Sequence, residues 1–211
     1  MGSNIESTII ENLLQIRAIK LQPDNPFTWA SGWKSPIYCD NRKTLSYPEV
    51  RENLKQAFAE KVRTLYPDAE VIAGVATGAI AVGVLVAEAL NLPFIYVRSS
   101  SKDHGLGNQI EGFYKEGQKV VVIEDLISTG GSSLKAIEAL CDAKLDVMGM
   151  LAIFTYQFNV SVEAFANANC KVDTLTNYTA LIELATEKNY ITPQQMASLK
   201  EWRQRPDTWG K

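Results

Sequence analysis

Three apolar runs rich in β-branched residues constrain the fold more than any other feature of the sequence. They lie at 71–75 (VIAGV), 119–124 (KVVVIE) and 147–154 (VMGMLAIF), and stretches with a helical pattern separate them. Continuous apolar runs of this length are typical of strands that are buried on both faces. Strands separated by a helix are joined by crossover connections and lie parallel. The sequence therefore predicts an α/β fold, with a mainly parallel sheet flanked by helices.

The segments between these runs complete the alternation. Residues 27–48 are aromatic and rich in turn-forming residues, which predicts short strands and loops. Spacing of apolar residues and the position of prolines predict helices at 5–21, 48–65, 79–91, 132–142, 160–168, 178–188 and 193–204, and further strands at 94–98 and 171–176. Because no repeat, low-complexity tract or linker interrupts the pattern, we expect a single domain over residues 1–211.

Charge and cysteine content narrow the class of protein. The net charge is −3 and the isoelectric point is about 5.3, with no block of Lys and Arg, so we expect no nucleic-acid partner. The three cysteines, Cys39, Cys141 and Cys170, are odd in number and far apart, which fits neither a disulfide framework nor a CxxC metal site. A reducing, cytoplasmic environment is the simplest expectation.

One uncharged run could be read as a membrane helix. Residues 71–87 contain a GxxxG pattern at Gly74 and Gly78, which is typical of packed membrane helices. However, the order of residues is a β-branched strand, a small-residue turn and then a helix that ends before Pro93. The N-terminus carries no basic segment followed by an apolar one. We therefore expect no membrane span or export signal.

The stretch VVVIEDLISTGGSS, residues 120–133, combines features of a phosphate site with two acids. Its hydroxyl residues and its two glycines directly precede a predicted helix, whose first N–H groups can hold a phosphate without a lysine. The pattern matches neither the GxxxxGK[ST] loop nor the GxGxxG fingerprint. An isolated STGGS would more simply be a helix cap, but here Glu124 and Asp125 come immediately before it.

Acids beside a phosphate turn are explained by a ligand that carries a diol next to its phosphate. Carboxylates accept hydrogen bonds from hydroxyls and can also engage Mg²⁺ through water. A ribose 5-phosphate has this shape. The alternative is that Glu124 and Asp125 merely end a strand.

A polar loop at about 99–112 follows the strand predicted at 94–98. Loops of this length without structure of their own are usually lids or disordered segments. This loop carries three glycines, Lys102 and the only histidine of the chain, His104. Such residues are usually solvated, but cationic donors on a closing loop can also stabilise negative charge that develops on a ligand.

The segment at 120–133 resembles the phosphoribosyl-diphosphate (PRPP) motif of the type I phosphoribosyltransferases. Four further segments resemble the orotate phosphoribosyltransferase family in the same order along the chain, and together they span most of residues 20–158. They are FTWASGWKSPIYCDNR, GVATGAIAVG, YVRSSSKDHGLGNQIEG and IFTYQF. The shared PRPP motif indicates the superfamily, whereas KDHG and the Ser-Gly/Ser-Pro segment indicate orotate.

The resemblance implies a role for each matching residue. Glu124 and Asp125 would bind the ribose hydroxyls, residues 128–132 would hold the 5-phosphate, and Ser128 would also lie near orotate. Lys102 and His104 would be catalytic, and the ATG turn at 76–78 would offer backbone donors to the pyrophosphate. The full set implied to bind PRPP is Arg98, Lys102, His104, Glu124, Asp125, Leu126, Ile127, Ser128, Thr129, Gly130, Gly131 and Ser132.

The resemblance also implies the reaction and the assembly. The phosphoribosyl group of PRPP would pass to N1 of orotate, giving orotidine 5-monophosphate and pyrophosphate in pyrimidine biosynthesis. Mg²⁺ would be the cofactor, with few or no direct protein ligands. A homodimer is implied, in which the flexible lid at about 99–112 closes over the partner's site and residues of about 1–45 form a small hood.

Two positions depart from the family pattern. Ser99 stands where many relatives have a lysine, and Tyr156 stands near the place of an orotate-binding arginine. Lys20 and Lys34 are the candidates left to hold the orotate carboxylate.

Three other functions are weighed against this one. A purine or uracil phosphoribosyltransferase would share Asp125 and the turn but should lack KDHG. A PRPP-sensing regulator would need a basic nucleic-acid surface. DAKLDV at 142–147 approaches a decarboxylase motif, but its spacing is one residue short, and we interpret it as a helix-to-strand connection.

Overall fold

The computed structural model describes residues 5–29, 31–99 and 109–210. The helices are α1 Ile5–Gln15, α2 Pro48–Leu65, α3 Gly78–Leu90, α4 Gly131–Asp142, α5 Asn159–Asn167, α6 Tyr178–Glu187 and α7 Pro193–Gln204, with a 3-10 helix at Asn41–Ser46. The strands are β1 Ile19–Leu21, β2 Phe27–Thr28, β3 Lys34–Ser35, β4 Ile37–Cys39, β5 Val71–Val75, β6 Phe94–Val97, β7 Ile110–Glu111, β8 Lys119–Ile127, β9 Asp146–Thr155 and β10 Val172–Asn177.

The central sheet has six strands in the order β10-β9-β8-β5-β6-β7. All neighbouring pairs are parallel except β6 and β7. The predicted α/β architecture with a mainly parallel sheet is therefore confirmed. In such a sheet, ligands bind beyond the carboxyl ends of the strands, where β5 and β8 lie side by side.

Alternate residues of the central strands pack on opposite faces of the sheet. Val121 and Ile123 of β8 pack with α1, α2, α3, α6 and α7, whereas Val120 and Val122 pack with α4 and with Phe165 of α5. Both faces are thus covered, which explains why the strands are apolar without interruption. Among the helices of the described ranges, none has the length and apolar character that crossing a membrane requires.

The N-terminal segment differs from its prediction. The predicted helix 5–21 ends at Gln15, and Arg17 has a left-handed φ of 55° that breaks it. Ile19–Leu21 then forms β1, which pairs antiparallel with β4. The apolar residue Ile19 fits the helical spacing by coincidence, because it is buried as part of a strand. The short strands predicted within 27–48 are confirmed as β2, β3 and β4.

Two boundaries near the sheet's carboxyl edge also differ. The strand predicted at 119–124 continues to Ile127, because β9 pairs with β8 as far as Ile127 opposite Thr155. Glu124 and Asp125 are therefore part of the strand. The loop predicted at 99–112 is structured at its end, where Ile110–Glu111 forms β7 against β6.

Candidate active site

Glu124 is buried at the carboxyl end of β8, with 4% of its surface exposed. Ser133 of α4 donates its hydroxyl to Glu124 Oε2 at 2.8 Å, and the Asp125 backbone N–H donates to Glu124 Oε1 at 2.8 Å. Burial, followed by the neighbouring Asp125 carboxyl, raises the pKa of Glu124 to about 8. This side chain therefore ties the end of the strand to the first turn of α4.

Asp125 is held on three sides. Its N–H binds Glu124, as described, and its carbonyl oxygen accepts a hydrogen bond of 2.5 Å from Asn41 Nδ2 in the 3-10 helix. Its carboxylate faces Gly78 at the start of α3, where any Cβ would collide with the carboxylate oxygens. Only glycine fits at position 78, because a side chain there would occupy the space of the Asp125 carboxylate.

The predicted phosphate turn joins β8 to α4. Gly130 has a φ of +84°, and a Cβ there would lie 3.0 Å from the Phe165 ring, so glycine is required for both reasons. Leu134 N–H donates to the Gly130 carbonyl at 2.9 Å, and α4 begins directly after it. Thr129, Gly131 and Ser132 are exposed, which leaves the N-terminus of α4 open to an anion.

A hollow of about 310 Å³ lies beside this turn. Its walls are Thr28, Trp29, Tyr38, Cys39, Leu126, Ser128 and Tyr156. It brings together the N-terminal strands, the end of β8 and the residue after β9. The walls are largely aromatic and include hydroxyl groups, which suits a flat heterocycle with polar edges.

Tyr156 is part of an aromatic cluster beneath the hollow. Its ring centroid lies 5.3 Å from that of Trp29, 5.4 Å from that of Phe158 and 5.7 Å from that of Trp202. Burial raises the pKa of the Tyr156 hydroxyl well above its ordinary value, so the phenol stays neutral. Tyr156 therefore gives the hollow an aromatic wall and supplies no positive charge.

Of the two lysines considered for the orotate carboxylate, Lys34 lies at the rim of this hollow. Its Nζ donates to Thr28 Oγ1 at 3.0 Å, and Thr28 is one of the lining residues. Lys20 instead lines another hollow, together with Arg17 and Tyr190. Among the described residues that line the 310 Å³ hollow none is cationic, and Lys34 is the better placed of the two because it contacts the lining residue Thr28.

Arg98 lies just after β6 and lines a smaller hollow of about 190 Å³. Ser99, Ser132 and Lys135 line the same hollow, so the end of β6 meets the first turns of α4. Arg98 Nη1 is 3.7 Å from Glu111 Oε1 of β7. Lys102 and His104 lie outside the described residues.

Three residues of the site were not singled out from the sequence. Ser133 ends the stretch 120–133 but was given no role there, and Lys135 follows Ser132 by three positions, which places both on one face of α4. Asn41 had no such signal, because it reaches Asp125 from 84 positions away along the chain.

The acidic end of β8 fits a magnesium ion whose ligands come mostly from water and from the substrate. Within the described ranges, no group of three or more His, Cys, Asp and Glu side chains could hold a metal ion. Asp125 offers a partly buried carboxyl group, whereas Glu124 is buried and engaged by two hydrogen bonds, and Mg²⁺ is usually held by one or two carboxylates together with substrate phosphates.

Replacing Glu124 by Gln should alter how stability depends on pH. With its pKa raised from 4.5 to about 8, Glu124 holds a proton in the folded protein that the unfolded chain releases. The free energy of unfolding should therefore fall as the pH rises through this window, by at most about 1.4 kcal/mol per pH unit, and level off above it. Glu124→Gln cannot ionise and should lack this fall, as urea denaturation between pH 5 and 8.5 would measure.

The exposed Glu138 of α4 provides the control for this experiment. Glu138→Gln should keep the pH dependence of the unsubstituted protein. Parallel curves for Glu124→Gln and the unsubstituted protein would contradict a protonated Glu124.

Comparison with known proteins identifies the family. A family model described as a phosphoribosyl transferase domain matches residues 43–171, which is more than half of the chain. The orotate phosphoribosyltransferase of Porphyromonas gingivalis is 56% identical over 202 residues, covering 96% of each chain.

Solved structures of such enzymes share the fold. The UMP synthase of Leishmania donovani is 28% identical with a TM-score of 0.78, and the match covers 96% of this chain and 42% of that one. The orotate phosphoribosyltransferase of Aeropyrum pernix is 24% identical with a TM-score of 0.75, covering 87% of this chain and 99% of that one. The chain therefore belongs to the phosphoribosyltransferase family and, within it, to the orotate phosphoribosyltransferases.

Proposed function

We propose that the protein transfers the phosphoribosyl group of PRPP to N1 of orotate, giving orotidine 5-monophosphate and pyrophosphate. The observation that carries this proposal is that Asp125, the glycine turn and the aromatic hollow meet at the end of β8, where Leu126 and Ser128 line the hollow. These three features provide, side by side, a partner for a diol, a cradle for a phosphate and a pocket for a flat base.

The ribose and its phosphate occupy the strand end and the turn. The Asp125 carboxylate accepts hydrogen bonds from the ribose hydroxyls, and the buried Glu124 supports it. The 5-phosphate binds the open N–H groups between Ser128 and Ser132, where the positive end of the α4 dipole lies. We propose the whole segment 124–132 as the core of the PRPP site.

Orotate fills the 310 Å³ hollow with its ring against Trp29 and Tyr156. Ser128 lines that hollow and is the proposed polar contact to the base. Lys34 holds the carboxylate, because a charge-assisted hydrogen bond is the strongest interaction available at the rim. The small sheets β1–β4 and β2–β3 form the hood that covers the base.

Bond cleavage relies on positioning and charge stabilisation. The C1–pyrophosphate bond breaks as orotate N1 approaches C1, and the sugar passes through a transition state with oxocarbenium character. Arg98, Lys102 and His104 stabilise the charge that develops on the pyrophosphate. Lys135 lines the same hollow as Ser99 and supplies the positive charge that a lysine at position 99 would carry. Ordering both substrates in one site lowers the entropic part of the barrier.

Magnesium, the assembly and the location complete the proposal. Mg²⁺ would be held beside Glu124 and Asp125 and would neutralise charge on the diphosphate. We propose a homodimer in which the lid, which follows Arg98 and ends before β7, covers the partner's site. A cytoplasmic enzyme of pyrimidine biosynthesis would have both substrates available to it.

A panel of bases tests the substrate. Purified protein with PRPP and Mg²⁺ is offered orotate, uracil, adenine or hypoxanthine, and the release of pyrophosphate is measured. Only orotate should support rapid release, because only orotate presents a carboxylate to Lys34 beside a flat ring. Rapid release with adenine or hypoxanthine and none with orotate would contradict the proposal. The orotate reaction is repeated without Mg²⁺, and pyrophosphate release under that condition would contradict the role of the metal.

Replacing Lys34 by Met tests how the carboxylate is held. Methionine keeps most of the side-chain length and removes the charge, so the KM for orotate should rise roughly tenfold or more, since a hydrogen bond to a charged group is lost. The KM for PRPP should change little. Lys20→Met is the matched comparison, and a larger rise in the orotate KM for that variant would transfer the role to Lys20.

Mixing two inactive variants tests the shared lid. Lys102→Ala and Asp125→Ala are purified separately, mixed, dissociated and reassociated. If the lid serves the partner's site, half of the dimers are mixed and each has one intact site, so about a quarter of the activity should return. If the lid serves its own subunit, every site keeps one lesion. Absence of recovery, with subunit exchange verified by mass spectrometry, would reject the shared lid.

A further inference from the structure

We propose that Asn41 is a positioning residue that fixes Asp125 for the ribose and links the base pocket to the PRPP site. The inference rests on the ribose-binding role proposed above for Asp125. Asn41 is 3% exposed, so its amide is a buried polar group that must be satisfied by the protein. Its two amide atoms contact the two halves of the site.

The donor side of the amide completes the end of β8. The pairing between β5 and β8 ends with Gly74 opposite Ile123, so Asp125 lies beyond the last residue that has β5 as a neighbour. There, Asn41 Nδ2 donates to the Asp125 carbonyl. The hood thus supplies the hydrogen-bond donor that a neighbouring strand no longer provides.

Two side chains consequently bind the backbone on both sides of the Asp125 side chain. Glu124 accepts from the Asp125 N–H, and Asn41 donates to the Asp125 carbonyl. With both peptide groups fixed, the direction of the Cα–Cβ bond is fixed, and the carboxylate fits the space above Gly78. Loss of the Asn41 donor would free the carbonyl and allow the carboxylate to leave its place.

The acceptor side of the amide binds the wall of the base pocket. Cys39 Sγ donates to Asn41 Oδ1 at 3.3 Å, and Cys39 lines the 310 Å³ hollow with Tyr38. Burial raises the pKa of the Cys39 thiol, which keeps its proton available for this bond. Movement of that wall when the base binds would therefore be transmitted through Asn41 to Asp125.

A double-mutant cycle tests the inference. The Kd for PRPP is measured by calorimetry with Mg²⁺ for Asn41→Leu, Asp125→Ala and the double variant. Asn41→Leu removes the donor without adding charge and should raise the Kd about tenfold, since the Asp125 carbonyl loses its partner. In the Asp125→Ala background the same change should raise the Kd less than about twofold, since nothing is left to position.

A matched control separates positioning from general support of the hood. Thr44 Oγ1 donates to the Asn41 backbone carbonyl at 2.6 Å and is 2% exposed, but Thr44 does not contact Asp125. Thr44→Val should lower the melting temperature and leave the Kd for PRPP unchanged. If Asn41→Leu does not fold, Asn41→Ala removes the same donor without adding charge or bulk and undergoes the same cycle with the same expectation.

The outcomes are distinct. An unchanged Kd for the Asn41 variants, or an equal rise in both backgrounds, would overturn the positioning role. A Kd that Asp125→Ala alone leaves unchanged would instead contradict the proposed ribose site.

Discussion

The buried carboxyl of Glu124 is the interaction on which the site depends most. An isolated carboxylate with 4% of its surface exposed would be strongly unfavourable. Burial raises the pKa of Glu124, which favours the neutral form, and two hydrogen-bond donors contact its oxygens. Those donors come from the Asp125 backbone and from Ser133, on either side of the glycine turn. The turn is therefore clamped at both ends by one side chain, and its shape is set before any ligand arrives.

The 310 Å³ hollow, proposed as the base pocket, depends on a different kind of contact. Trp202 of α7 is fully buried, packs edge-on against Trp29 at 5.6 Å and donates its indole N–H to the Lys34 carbonyl. The hood has only two- and three-residue strands, which are too short to be stable alone. Packing against α7 gives those strands a fixed position over the sheet, so the pocket wall is held by a helix that is distant in the sequence.

Much of the fold was predictable because continuous apolar runs and helical patterns are local. The central strands, the helices from α2 onwards and the acid pair next to the turn follow from short stretches of sequence. The secondary structure of the N-terminal segment was not predictable in this way. Ile19 fits both a helical and a strand pattern, and only pairing with β4 decides between them. The role proposed for Asn41, the choice of Lys34 over Lys20 and the fit of Gly78 to Asp125 depend on contacts across the fold, which no local spacing encodes.

The position of Trp202 near the end of the chain has a consequence for synthesis. A growing chain that has passed Asn177 already contains every strand of the parallel sheet, with the acid pair and the glycine turn. It does not yet contain α7, whose indole holds the hood in place. Since a domain folds as a unit, the hood takes its final position only when α7 packs against it. A chain without α7 would therefore keep the acid pair and the glycine turn but would lack the contacts that hold the wall of the 310 Å³ hollow.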